Sequence, residues 1–588
     1  MANLATTLVN TTRSYPDRIA VRSDERALRY RDLDELSARV ACWLLGRGIT
    51  AGDRVGLMAP NTPEFAELFY GILRAGAVVV PMNPLFKARE VGYQLSDSGA
   101  ALALVWHGVA DQAAAGAKNA GTELVVIEPE TLADTLARCD PAPAVADRAA
   151  NDTAVILYTS GTTGQPKGAE LTHANLLSNV EVTRTTLLNL RPEDVVMGAL
   201  PLFHSFGQTV GMGCAVATGA CLTLLPRFDP VRALEIIKRD QVTVLPGVPT
   251  MYSALLHNAS GGPDDVASLR LCVSGGAAMP VELMRAFEKH FGCIVLEGYG
   301  LSETSPVASY NHPDRERKPG SVGQAIAGVE MRVQTDEGDP VPVGEIGEIA
   351  IRGENLMKGY WRRPRETAEA MAGGWFRTGD LGRVDPEGYF SIVDRKKDMI
   401  IRGGLNVYPR EIEEVLHEHP AVAEAAVIGV PDQMLGEEVA AVVKLKPGAS
   451  ADPDQLREHV KRQLAAYKYP RHVWIVDELP YGGSGKILKR AIVVPPLSLP
   501  ALSLPALSLP ALSLPALSLP ALSLPAPPGV GLSPWPTPTP GARWSAPSRR
   551  ATALPGLTSG IGAEYPATSR ARCTSGPSRV PLSPGWCP

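Results

Sequence analysis

With 588 residues the chain is too long for one compact core, so at least two domains are expected. Its 57 Lys and Arg against 62 Asp and Glu give a net charge of −5, which leaves no basic surplus for a phosphate backbone and argues against nucleic-acid binding. Cys42, Cys214, Cys221, Cys272 and Cys293 sit beside small or apolar residues and form no closely spaced ligand pair, as expected of buried thiols in a reducing compartment. The first 17 residues lack a basic flank followed by an apolar core, and no uncharged apolar run reaches membrane-spanning length; the expectation is a cytoplasmic protein.

Leu33, Leu36, Val40, Trp43 and Leu44 recur at helical spacing and run out at Gly46 and Gly48, predicting an amphipathic helix from about residue 31. Residues 54–60 then read as a buried strand, 63–77 as a helix, and 78–80 as a β-branched strand closed by Pro81. The alternation continues through strands at 101–106 and 154–158, the pattern of an α/β protein built on largely parallel sheets. In such folds substrates bind at the strand ends.

The run YTSGTTGQPKG at 158–168 follows the strand at 154–158 and is expected to lead into a polar turn and helix. Gly161 and Gly164 let the backbone approach an anion, Ser160, Thr162 and Thr163 offer hydroxyls, and Lys167 supplies charge. It is not a Walker A loop, because Pro166 precedes Lys167 and Gly168 follows it. A plain Gly/Thr-rich surface loop is the alternative, and the length of the run speaks against it.

Near Asp394 the texture changes to a charged cluster, a Gly-Gly turn and fresh short elements: a helix at 409–417, strands at 425–430 and 439–445, a helix at 453–464 and a strand at 472–476. These make a compact α+β unit of ordinary domain size. The expected division is a large domain over 1–396, a small mobile domain over 397–492, and a tail over 493–588. The tail opens on LSLPA repeated six times at 497–526, and a proline every fifth residue prevents a continuous helix and removes ladder donors from a strand. It reads as disordered, with a shifted reading frame across a short DNA repeat as one origin and a Pro-rich docking segment as the alternative.

Five further segments stand in order behind the glycine-rich run: LPLFHSFG at 200–207, EGYGLSET at 297–304, WFRTGDL at 375–381, DRKKDMIIRGGLNVYP at 394–409 and GGSGKILKR at 482–490. As a set they closely resemble the adenylate-forming superfamily of acyl-CoA synthetases, firefly-type luciferases and peptide-synthetase adenylation domains, over about residues 10–490. The resemblance implies an enzyme that joins a carboxylate to the α-phosphate of ATP, releases pyrophosphate and passes the acyl group to a thiol. That first step gathers anions, so positive charge and a metal are needed, and Lys167, Lys486 and Mg²⁺ are suited to this.

By the same resemblance Thr159 and Glu303 hold the Mg²⁺ as hard oxygen ligands, and Tyr299, with Gly300 behind it, stacks on adenine against a wall of Gly276, Ala277 and Ala278. Ser302 falls where a hydroxyl meets the α-phosphate; Asp380 accepts the ribose hydroxyls and Arg395 adds a second ribose contact. His204 would line the carboxylate channel, with a packed neutral histidine beside Phe203 and Phe206 as the alternative. The segment lacks the Phe-Asp pair with which amino-acid-activating members hold an ammonium, which disfavours an amino acid substrate.

Lys486 would reach the phosphate only when the small domain closes in one orientation; a swing about Lys397 would then bring Gly403 and Gly404 to the pantetheine tunnel. Leu202, Phe203, Val210, Met212 and the small residues Gly211, Gly213 and Ala215 suggest an apolar pocket. The implied reaction takes a medium- or long-chain fatty acid, ATP and coenzyme A to acyl-CoA, and a fatty acid drawn from a bilayer would bring peripheral membrane contact. An aryl-CoA ligase is the runner-up, and a non-catalytic acyl- or nucleotide-binding protein would lack Glu303, Asp380 or Lys486, all of which are present. Transfer to a carrier protein would share the first half-reaction, and the oligomeric state is not legible.

Overall fold

The computed structural model describes residues 2–494 apart from 25, 142–143, 160–164, 259–260, 433 and 484. Ser160, Gly161, Thr162, Thr163 and Gly164 of the glycine-rich loop, and the LSLPA repeat with the rest of the tail, lie outside the described residues. Among the described residues the strands form sheets of nine, seven, four and five strands.

The first two sheets are parallel over most of their width. One runs from Thr153–Thr159 through Val78–Pro81, Arg54–Met58 and Leu102–Trp106 to Glu123–Ile127, all parallel. The other runs parallel from Val295–Gly300 through Leu271–Ser274, Val244–Gly247, Val195–Gly198 and Cys221–Leu224 to Ile19–Arg22. Val78, Val79 and Val80 are buried as expected of a strand covered on both faces, where apolar residues run without alternation. The helix Pro63–Arg74 is buried along its whole length, and the predicted amphipathic helix, Tyr30–Gly46, packs on it. A Cβ at Gly71 would stand 2.3 Å from Cγ1 of Val40, so the absent side chain sets that close approach.

An antiparallel sheet was not foreseen among the parallel ones. Val329–Gln334, Gly347–Gly353, Phe376–Val384 and Phe390–Arg395 pair in that order, all antiparallel. Beyond it, Val422–Asp432 and Gly436–Leu445 form a long antiparallel pair, with His472–Ile475 parallel to the latter. The helices Pro409–Glu418 and Pro453–Gln463 cover this pair through Ile412, Leu416, Leu456 and Val460, which join Val427, Val439 and Val443 in a core of their own. No helix among the described residues is long and apolar enough to cross a membrane.

Candidate active site

Strand ends from both parallel sheets, the antiparallel sheet and the last residues of the C-terminal α+β unit open on one cleft of about 1810 Å³. A site for one small molecule is usually ~300–1,000 Å³, so this cleft has room for a nucleotide and a second substrate.

Thr159 ends its strand and pairs with Lys167 at the start of the antiparallel strand Lys167–Thr172. The glycine-rich run therefore connects two strands of a hairpin, where the sequence led to the expectation of a turn and helix; the helix His173–Val182 comes only after this strand. Glu303 lies on the short 3₁₀ turn Ser302–Thr304, 7% exposed, and its Oε1 accepts from the Thr159 hydroxyl at 3.2 Å. The Tyr360 hydroxyl donates to the same oxygen at 3.0 Å, and Lys167 Nζ lies 5.2 Å from the Tyr360 ring centre. Sequence reading missed Tyr360, which sits outside every motif.

Asp380 and Arg395 face each other in register across the antiparallel sheet, with Arg395 Nε 3.3 Å from Asp380 Oδ1. The Tyr299 hydroxyl donates to Asp380 Oδ2 at 2.6 Å, so the tyrosine that lines the cleft also fixes this carboxylate. Burial pushes the Asp380 carboxyl above its ordinary range, while Arg395 and the Tyr299 hydroxyl pull it down. Gly276, Ala277 and Ala278 line the cleft on the turn after Leu271–Ser274, and Gly276 has φ +81°. A Cβ there would meet Lys486 Cε at 3.1 Å. Burial and the neighbouring Arg395 guanidinium lower the Lys486 ammonium to about 8, against the opposing charges of Asp380 and Glu303.

His204 also lines the cleft, held down to about 3 by burial and by the Lys486 charge, so its imidazole is neutral. Its loop is fixed by Asn61, which sequence reading missed: Nδ2 donates to the carbonyls of Gly198 at 2.9 Å and Leu200 at 2.8 Å, and Oδ1 accepts from the Leu202 amide at 2.9 Å. Gly300, Ser302 and Lys397 line the cleft, Lys397 between strands Phe390–Arg395 and Ile400–Arg402. Gly403 and Gly404 are not brought there; they form an exposed turn with φ of +56° and +82°. Nor do Leu202, Val210, Met212 and Ala215 line the cleft: they belong to the main apolar core, and of that expected pocket set Phe203 alone faces the cavity.

The AMP-binding enzyme family pattern matches residues 8–361, and its C-terminal domain pattern matches residues 411–486. The chain belongs to the AMP-binding enzyme family. It is 37% identical to a long-chain-fatty-acid–CoA ligase of Bacillus subtilis, over 83% of this chain and 94% of that one. A feruloyl-CoA synthase of an Amycolatopsis species is 40% identical over 82% of this chain and 96% of its own length. The fold is similar to that of ATP-bound MatB from Rhodopseudomonas palustris, with a TM-score of 0.78 and 37% identity over 83% of this chain and 97% of that one.

As an AMP-binding enzyme the protein is an acid–thiol ligase that activates a carboxylic acid as its adenylate, with ATP and coenzyme A as co-substrates. The family's Mg²⁺ fits the pair of hard oxygens from Thr159 and Glu303, since Mg²⁺ takes one or two protein ligands and fills its octahedron with water and phosphate. Bound there, it would offset phosphate charge.

Proposed function

We propose that the acid is a medium- or long-chain fatty acid, activated in a large domain (1–396) that a small domain (397–492) closes by carrying Lys486 to the α-phosphate. In this reading Lys486 and Lys167 offset charge on the phosphates, Thr159 and Glu303 hold Mg²⁺, and Asp380 with Arg395 takes the ribose. Tyr299 stacks on adenine against Gly276–Ala278, Ser302 meets the α-phosphate, and neutral His204 lines the carboxylate channel without adding charge. Lys397 is the hinge, and rotation about it brings Gly403 and Gly404 to the thiol's path. ATP and coenzyme A as co-substrates support a cytoplasmic enzyme, one that touches membranes peripherally to collect its acid.

The observation that carries the aliphatic acid is at the π-helix Phe206–Gly213. Residues five apart in a π-helix share a face, which places Gly211 one turn beyond Phe206, whose ring lines the cleft. Gly211 is buried, yet a Cβ added there would meet no atom within 4 Å beyond its chain neighbours and the backbone of its own helix. Open space one turn behind an apolar cleft wall suits an extended alkyl chain. Pyrophosphate release measured across C6 to C18 fatty acids, aryl acids and amino acids, with and without coenzyme A, tests this. Fatty acids should lead, and Gly211→Phe should move the optimum to shorter chains; a preference for hydroxycinnamates unmoved by Gly211→Phe would overturn it. That second reading, an aryl-CoA ligase, is favoured by the 40% identity to the feruloyl-CoA synthase.

A further inference from the structure

The loop that carries Lys486 is bonded to itself and then gripped from outside. Within it, the Gly482 amide donates to the Lys486 carbonyl at 2.7 Å and the Gly485 amide to the Gly482 carbonyl at 2.9 Å, and Tyr481 bridges to Ile487. Gly485, at φ +77°, turns its carbonyl outward, where it accepts a hydrogen bond at 2.8 Å from the hydroxyl of Thr250. Thr250 is the second residue of the helix Pro249–Asn258, 235 residues earlier in the chain. On another side the loop meets Asn83: a Cβ at Gly483 would stand 2.1 Å from Asn83 Nδ2, so a side chain at 483 would require the Asn83 amide to shift. Val248 closes the fit, with Cγ2 3.2 Å from where a Cβ at Gly485 would lie. Among the described residues, one side-chain hydrogen bond thus fixes the carbonyl directly next to Lys486.

We propose that Thr250 is a positioning residue for adenylation, its hydroxyl seating the Lys486 loop in the cleft. The proposal rests on the role given to Lys486 above. A cation that must meet charge developing on a phosphate loses effect steeply when displaced, and losing the hydrogen bond that ties the loop to a neighbouring element loosens its seat. The hydroxyl acts through the loop, and the consumption of preformed acyl adenylate by coenzyme A does not need it.

The test compares Thr250→Val, Thr250→Ser and Lys486→Ala in the full-length enzyme with dodecanoic acid as probe. Adenylation is followed as pyrophosphate release without coenzyme A, and thioester formation from supplied dodecanoyl-AMP. Thr250→Val keeps the shape and removes the donor, so kcat for adenylation should fall about tenfold, the effect of one lost hydrogen bond, with KM for ATP and the thioester rate unchanged. Thr250→Ser should restore it. Equal loss in both half-reactions, a rise in KM for ATP at constant kcat, no change at all, or failure of the serine to rescue would each overturn the proposal. Adenylation lost in Lys486→Ala but intact in Thr250→Val sinks the grip alone. Adenylation intact in Lys486→Ala sinks the lysine's role, and the grip with it.

Discussion

Lys486 enters a cleft that already holds Arg395, and burial beside that guanidinium brings its ammonium to about 8. The sign of the pH dependence follows: the group is charged below this value and neutral above it. In the role proposed for Lys486 adenylation needs the charged form, and kcat/KM reports groups of the free enzyme. We expect kcat/KM for ATP to fall toward about tenfold per pH unit above about 8, and Lys486→Arg to abolish that decline whatever its plateau. Glu303 lines the same cleft, its Oε1 shared by Thr159 and Tyr360. Glu303→Gln keeps the shape and removes the charge that would hold Mg²⁺, so turnover should drop by orders of magnitude while the thermal midpoint barely moves. A Mg²⁺ titration reaching near-normal activity would make Glu303 structural. These candidate residues were legible in the sequence because each motif carries a group suited to the proposed chemistry. Tyr360 and Asn61 were not legible, because an ordinary residue outside a motif gains its role only from what folding places beside it.

Among elements, the segment from Leu200 to the π-helix Phe206–Gly213 shows how tightly backbone is used to aim side chains. A Cβ at Gly207 would stand 2.3 Å from the Pro201 carbonyl oxygen and 2.8 Å from that of Leu200, both backbone atoms with little freedom to yield. Gly207→Ala should therefore cost about 1–3 kcal/mol in a urea melt and raise KM for the acid, since the displaced turn carries Phe203 and His204. Retained stability with unchanged KM would show that the turn relaxes freely. The helices Tyr30–Gly46, Pro409–Glu418 and Pro453–Gln463 fall within about a residue of their sequence-predicted spans, because apolar periodicity and flanking glycine or proline mark them locally. The antiparallel strand Phe376–Val384 escaped notice: Gly379, Asp380 and Gly382 interrupt its alternation, and its pairing with Gly347–Gly353 and Phe390–Arg395 supplies the order that the local sequence does not.

For the whole molecule, every candidate residue lies at or before Lys486, and the repeat that begins at 497 has a proline in every fifth position and no amphipathic period. Truncation after residue 495 should leave turnover and thermal midpoint as in the full chain; loss of either would make the tail part of the machine. The sequence by itself determined the reaction class and the alternating α/β order, and it singled out the candidate residues of the proposed ATP path, because motifs and periodicity are properties of neighbouring residues. Tertiary structure decided what depends on residues far apart. It put Lys486 against Gly276, bonded Thr250 to Gly485 and Tyr299 to Asp380, and sent Val210, Met212 and Ala215 into the core while leaving space beside Gly211. An apolar residue reads the same in sequence whether it faces a substrate or another side chain, and only packing distinguishes the two.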